Sequence, residues 1–504
     1  MNIYMIVLIV YLGFLVWLGF RASKGQKETS EDYYVAGRKM SKWVVAGTYG
    51  ASFMSAGTFL GQIGTNYQTG WVQTWNLCAS MFAMFLMAAL FTKKIWRVGY
   101  LYGVSSMPDL FGLRYPSKVT RGFYSVMILL IYIVGMAAMY IGIFTILSLV
   151  TSLSYMQCVI IGAVVVLLYS ITGGAKAVAW TDDACMIIMF FSMVVAVFVA
   201  LVHGGGFTNL VTAFGQAVTP EGKTWQQGAE LVSSTTSYMT GGMCIAFFLT
   251  WSLGNITQPH QVTRALLAKD EHAALGGIAL MIIPNCIILL SGQIIGAYAR
   301  VTYPDLARVD YAFPTVVMNA LPSFIAAIVI VGIISAILST ASTMLVISSQ
   351  CTGYDIYKKL VNPNASEKSV LKISRVTMVI CSLLAIVVAY FAQTVSSILF
   401  LWSSAFAMMG AGVLPSLLGT FYWKRANSYG CLASMILGFG STAAMYLWPA
   451  LKPAWAVHPI LPGLVLSIAA FVIVSLLTKA PNAETTDKFF GQAVRDPKKA
   501  LPSR

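Results

Sequence analysis

The chain has 504 residues, of which 58% are hydrophobic and only 10% charged, with a net charge of +15 and a mean hydropathy of +0.77. Ordinary soluble domains carry about 25% charge, so a soluble globular protein is excluded. The basic excess invites a nucleic-acid partner, but its placement along the chain removes that reading.

Apolar segments of about 17–25 residues, each able to cross roughly 30 Å of hydrocarbon as a helix, recur throughout. They are continuous and long, unlike the alternating ten-residue strands of a barrel, so an all-α integral membrane protein is expected. About thirteen spans are predicted, at 3–20, 43–66, 72–92, 122–152, 156–172, 182–202, 239–258, 273–298, 321–347, 370–392, 397–420, 429–447 and 459–477. The first lacks a basic n-region and a small-residue cleavage site before Arg21, so it reads as a retained anchor. Assigning loops alternately from an outside N-terminus puts roughly 28 of the 32 Lys and Arg inside, leaving Lys223, Arg300, Arg308 and Lys452 outside. The basic residues therefore set orientation, with a cytoplasmic C-terminus. The partners expected are the lipid bilayer and a small solute, with no nucleic acid.

Residues 50–71 read GASFMSAGTFLGQIGTNYQTGW, and the span at 43–66 is interrupted by glycines at 50, 57, 61 and 64. The span at 239–258 carries Gly241, Gly242 and Gly254, and TWSLGNITQPH runs through its end. Each opens a set of five spans, and odd membership forces the second set to run in the opposite sense. Glycine-broken helices at matching places in two inverted halves point to a transporter's central site, although glycines also serve close helix packing. The expected organisation is an extra helix and cytoplasmic loop (1–42), a first five-helix set (43–202), an outer loop (203–238), an inverted second set (239–420), two further helices (421–478) and a partly ordered cytoplasmic tail (479–504).

In the span 321–347, Ser335, Ser339, Thr340, Ser342 and Thr343 crowd into about two turns. Such hydroxyls often bond back to the carbonyl four residues earlier, yet hard oxygens also suit alkali cations, with carbonyls of an unwound segment completing the site. The eight Cys lie singly, so no disulfide framework or metal cluster is implied. An enzyme is not expected: Walker A and HExxH motifs are absent, and HGGG at 203–206 lacks a GxSxG partner.

Several stretches together resemble the sodium:solute symporter family, in its bacterial type. They are DYYVAGRKMS at 32–41, GASFMSAGTF at 50–59, MPDLFGLRY at 107–115, YSITGGAKAVAWTD at 169–182, LGNITQPHQVTR at 253–264 and AILSTASTMLVISSQCTGYDIYKK at 336–359. The resemblance, from about residue 5 to 480, implies a LeuT-type core of two inverted five-helix repeats and Na+-coupled symport by alternating access across a plasma (bacterial inner) membrane. It places a sodium site on the carbonyls of Ala51, Met54 and Ala336 and the hydroxyls of Ser339 and Thr340. Asp182 matches an acidic position implicated in sodium passage; the competing reading is an acid at a helix N-terminus, at the cytoplasmic mouth of its span. Trp251 and Asn255 match cavity-lining positions, and Ser55, Gly57, Thr58, Gln62 and Gln73 are candidate neighbours. His260 and Arg264 match the QPH…R element and read as loop anchors. Phe53 and Gly57 stand where proline-transporting relatives commonly carry an acid and a Trp, which argues against proline.

The implied cavity is uncharged. It would take an anion through helix N-termini and amides, or a neutral polyol or nucleoside; a monocarboxylate or pantothenate-like acid is preferred, because no cavity acid greets an ammonium group. Na+ is the expected coupling ion, without an organic cofactor. The alternatives are a transporter-like solute sensor without its own catalytic domain and an H+-coupled carrier.

Overall fold

The computed structural model describes residues 2–25, 28–216, 240–392 and 398–495. Most of the outer loop 203–238 with Lys223, the first residues of the spans at 239 and 397, and the tail from 496 onward lie outside these residues. Among the described residues the chain is helical, apart from one isolated bridge between Met40 and Ala268.

The N-terminal helix α1 (Ile3–Ser23) and the short α2 (Ser30–Val35) lead into α3 (Lys42–Phe53) and α4 (57–69). A continuous rod follows, α5 (Thr74–Leu86) and α6 (Thr92–Tyr102), joined through a wider π-helical turn. Then come α7 (Met107–Arg114), α8 (Lys118–Val150), α9 (Tyr155–His203) and α10 (Phe207–Gln216). The second half holds α11 (Gly241–Ile256), α12 (Pro259–Leu266), α13 (Glu271–Leu280), α14 (Ile282–Thr302), α15 (Ala312–Ala320) and α16 (Ser323–Gln350). The chain closes with α17 (Glu367–Phe391), α18 (Ile398–Tyr422), α19 (Ser428–Leu447), α20 (Ile460–Leu477), α21 (Ala483–Phe490) and α22 (Gln492–Arg495).

By length and composition, ten of the described helical segments are able to cross a membrane. The expected spans 43–66, 156–172 and 239–258 fall short of that measure because each is interrupted or brief. The 156–172 span and the next one are two helices within α9, parted by a kink at Gly174, whose φ of 51° and ψ of −144° are non-helical and open to a residue without a Cβ.

Burial sorts the helices. From Val329 to Gln350, α16 is buried on every side and packs against α1, α8 and α9. Its hydroxyls therefore meet protein and not lipid. The outward faces of α1, α9, α17 and α20 expose large apolar residues such as Trp17, Phe191, Leu383 and Leu477, as a lipid-facing surface requires.

The loops expected to be cytoplasmic meet at one end of the molecule. Trp96 donates to the Ala268 carbonyl at 3.1 Å, Arg38 to the Val104 carbonyl at 2.7 Å, and Arg97 holds both carboxylate oxygens of Glu271 at 2.8 and 3.0 Å. The described part of the tail, up to Arg495, joins them. Arg97 also donates to the carbonyls of Val494 and Arg495, at 3.2 and 2.9 Å. The Arg114 guanidinium, fully buried, bonds the Trp423 and Lys424 carbonyls and lies over the rings of Tyr115, Phe489 and Phe490. Two adjacent phenylalanines give a polar segment one apolar face, a signal easily missed beside its prolines and charges. Phe489→Ala removes a buried ring and should lower stability by about 2–4 kcal/mol. It should also speed proteolytic removal of residues 483–504; equal cleavage of wild type and variant would show that the tail is not docked.

At the opposite end, Asp310 between α14 and α15 is buried, ion-paired to Arg308 at 3.5 Å, and accepts the Ile398 backbone N–H at the start of α18. Burial pushes its carboxyl up to about 6, against the lowering pull of Arg308 and that N–H. A raised acid binds its proton more tightly folded than unfolded. Its contribution to stability is therefore fully present below the unfolded value near 3.9 and is lost as pH rises through about 6. Thermal stability should accordingly gain a component as pH falls from 7 to 5. In Asp310→Asn, which retains a capping oxygen, that component should vanish; an unchanged profile would remove Asp310 as its source.

Candidate functional site

Helix α3 ends at Phe53, and Met54 is extended with φ −96° and ψ 131° before helical structure resumes at Ala56 and α4. Gly50 and Gly57 flank this break and do not form it. A buried break leaves carbonyls without helical partners, each costing several kcal/mol in hydrocarbon. Helix α16 supplies the partners. Ser339 Oγ donates to the Ala51 carbonyl at 3.3 Å and Thr340 Oγ1 to the Met54 carbonyl at 2.9 Å. Both hydroxyls also lie 3.2 and 3.1 Å from the Ala336 carbonyl.

The five expected sodium ligands thus meet at one point, as uncharged oxygens from two elements. Hard, neutral oxygen donors are the set an alkali cation prefers. The remaining hydroxyls of the cluster serve other neighbours: Ser335 bonds Tyr11 at 2.6 Å, Ser342 bonds the Ser339 carbonyl at 2.9 Å, and Thr343 accepts from Arg264.

A second break separates α11 from α12 at Thr257–Gln258, with Pro259 as the first residue of the new helix. Gly254 again is not the break; it lies inside α11, where an added Cβ would meet the Phe406 carbonyl at 2.7 Å. Beyond the break, Arg264 is almost fully buried. It donates to Asp182 at 3.1 Å and to Ser52 Oγ at 2.9 Å, while Thr48 donates to the same Asp182 oxygen at 2.6 Å. Asp182 is therefore not a helix N-terminal acid. It lies eight residues past the kink at Gly174, inside the second helix of α9, and its carboxylate is held in an ion pair. Arg264 is correspondingly no loop anchor.

Between the two breaks lies a small cavity of about 10 Å³, room for at most one water. Ser55, Thr58, Gln62, Trp251 and Asn255 line it, as expected from the sequence. Gln73 does not: it is buried elsewhere, accepting from Asn76 at 2.6 Å. Gly57 contributes space and not a contact; a Cβ there would stand 2.7 Å from Trp402 Cδ1. His260, read as an anchor, forms part of the wall together with Phe53, Gln261, Trp402 and Phe406. The rings make a continuous surface, with Trp251–Phe406 at 4.9 Å, Phe406–Trp402 at 4.7 Å and Trp402–His260 at 6.3 Å.

Sequence reasoning missed Trp402 and Phe406 because an aromatic residue in an apolar helix gives no sign of facing a cavity. For His260 and Gln261 the signal was present, since two polar residues directly follow the proline that restarts a helix.

The comparisons with known proteins agree with this geometry. The family model for the sodium:solute symporter family matches residues 33–438. The sodium/pantothenate symporter of Haemophilus influenzae is 28% identical, covering 92% of this chain and 94% of the relative. The sodium/proline symporter of Escherichia coli is 26% identical, covering 98% and 97%. Among solved structures, a Na+-coupled sialic acid symporter in a substrate-bound outward-open state superposes with a TM-score of 0.80 at 18% identity, covering 96% of this chain and 99% of the other. Mhp1, a nucleobase-cation-symport-1 family transporter in a closed conformation, gives 0.54 at 11% identity, covering 90% and 97%. These likenesses establish the LeuT-type fold. With one broken helix meeting a buried oxygen cluster, a second across a cavity whose described lining is uncharged, and the family match over most of its length, this multi-pass membrane protein belongs to the sodium:solute symporter family.

Proposed function

We propose that this protein carries a small organic acid, a monocarboxylate or pantothenate-like molecule, into the cell together with Na+, with its N-terminus outside and its C-terminus in the cytoplasm. The observation that carries the coupling is the meeting of Ala51, Met54, Ala336, Ser339 and Thr340 oxygens one residue away from the cavity wall. Met54 turns its carbonyl to the ion cluster, and Ser55, next in the chain, lines the cavity. An ion held between α16 and the α3–α4 break would therefore set the position of the wall that meets the solute. The five oxygens include no titratable side chain, which favours an alkali cation over a proton. The absence of a charged residue from the cavity lining favours an acid over an ammonium compound.

The Arg264–Asp182 pair joins α12 to α9 and lies behind one side of the cavity, where Arg264 donates to the lining residue Ser52. Passage toward that side requires the pair to separate or shift. The buried ion-pair partners make the closed arrangement a discrete state, because a half-broken pair leaves a charge in low dielectric. Alternating access is then an exchange between this arrangement and one in which both charges meet water.

The driving force is adequate. One Na+ moving down about 100 mV gains roughly 2.3 kcal/mol, and a tenfold gradient adds about 1.4 kcal/mol. A monoanion moving with one Na+ transfers no net charge and keeps only the concentration term; a second Na+ would restore the electrical one.

Two measurements test the proposal. Ser339→Ala and Thr340→Ala should each raise the Na+ concentration for half-maximal uptake by tenfold or more while leaving expression nearly unchanged; unaltered Na+ dependence would refute the ion assignment. Thermal stability of the purified protein should be raised by a small acid at a hundredfold excess over its Kd, by about 2.7 kcal/mol, in Na+ but not in choline. Equal stabilisation in choline would separate solute binding from the cation.

A further inference from the structure

We propose that His260 is the specificity-determining residue of the cavity: a neutral imidazole whose Nε2–H receives a carboxylate or carbonyl oxygen of the solute. This rests on the reading of the cavity as the solute site.

Hydrogen bonding to Tyr132 on α8 defines the tautomer. The Tyr132 hydroxyl accepts the His260 backbone N–H at 3.1 Å and lies 2.9 Å from His260 Nδ1. A hydroxyl has one proton to give. If Nδ1 carried the ring proton, the fully buried Tyr132 hydroxyl would hold two donors and have no acceptor for its own hydrogen, an arrangement costing about 1–3 kcal/mol. Tyr132 therefore donates to Nδ1, and the ring proton resides on Nε2. The imidazole is stacked on Trp402 at an interplanar angle of 22°, which fixes its plane. Nε2 has no hydrogen-bond partner in the protein among the described residues.

Two more cavity groups are unpaired and buried: Trp251 Nε1 and Gln261 Oε1. With His260 Nε2 these make two neutral N–H donors and one acceptor, set among the side chains of Ser55, Thr58, Gln62 and Asn255, which both donate and accept. Helix α12 itself offers no free amide there. Pro259 has no N–H, His260 N–H is taken by Tyr132, and the amides of Gln261 and Val262 both bond the Gln258 carbonyl at 3.0 and 3.2 Å. The expected anion site at a helix N-terminus is therefore replaced by side-chain donors. An oxygen acceptor satisfies the His260 and Trp251 N–H groups, whereas an ammonium group set against those two would place donor against donor. A site built to hydrogen-bond a substrate group rejects an analogue lacking it, because its own buried polar atoms are left unpaired.

The probes are pairs differing at the acidic end: pantothenate against pantothenyl alcohol, butyrate against butylamine, and lactate against propane-1,2-diol. Binding to purified protein in Na+ is read by thermal stabilisation. In wild type, the acid of at least one pair should bind at least tenfold more tightly than its counterpart. His260→Phe, which keeps the ring and removes the donor, should erase that preference, and His260→Gln should restore part of it. Tyr132→Phe, which releases the tautomer but leaves the imidazole, should give an intermediate loss. Stabilisation by Na+ alone should persist in all three and reports that they fold. Retained acid preference in His260→Phe, or wild-type preference for the alcohol or amine, overturns the proposal, as does the absence of binding by every acid. Asn255→Ala separates the two layers of the argument. If it weakens acid binding while His260→Phe does not, only the role of His260 fails. If neither variant affects acid binding, the cavity is not the solute site.

Discussion

A helix broken in the middle of a membrane is tolerated only where something other than water satisfies its backbone, and the break at Met54 organises this molecule. The Ala51 and Met54 carbonyls are met by two hydroxyls of α16. That requires α16 to be enclosed by protein, and it is, along most of its length. It also requires small residues around the break, which the run from Gly50 to Gly57 provides. The same oxygens that relieve the break form an uncharged cluster suited to a monovalent cation. The atoms that meet the structural need are thus the same ones proposed to hold the ion.

The neighbouring charge network has a different character. Asp182, Arg264, Thr48, Ser52 and Thr343 draw α3, α9, α12 and α16 together on one side of the cavity. Removing one member of a buried ion pair typically costs about 3–5 kcal/mol, whereas the intact pair adds little net stability. Such a pair makes geometry discrete more than it makes the fold strong. Because Ser52 bonds both Arg264 and, through its carbonyl, Gln261, the network reaches the cavity wall within one residue. Ion cluster, cavity and charge network are therefore consecutive along the stretch from Thr48 to Ser55.

Much of the site was legible because polarity in a membrane segment is costly and so conspicuous. Ser339 and Thr340 stood out within an apolar helix, and the Gly- and Ser-rich break stood out within a span; the structure brings both to one point. The glycines themselves misdirected the reading. Gly50 and Gly254 lie inside intact helices, and the breaks occur at Met54 and at Thr257–Gln258, where packing and Pro259 decide. Gln73 was placed in the cavity by helix spacing, but the wider turns in α4 and the break before it alter the register that spacing assumes.

The amino-acid sequence by itself determined the class of protein, the family and which hydroxyls and small residues break the apolar pattern of their spans. Each of these rests on composition, order or local spacing, which a linear chain carries directly. Tertiary structure alone decided that Asp182 and Arg264 neutralise each other across 82 residues, that Tyr132 orients His260, and that the tail docks on Arg114. Those outcomes depend on which surfaces face one another after packing. A buried guanidinium or imidazole takes its role from the partner that packing brings to it, and that partner lies far away in the chain.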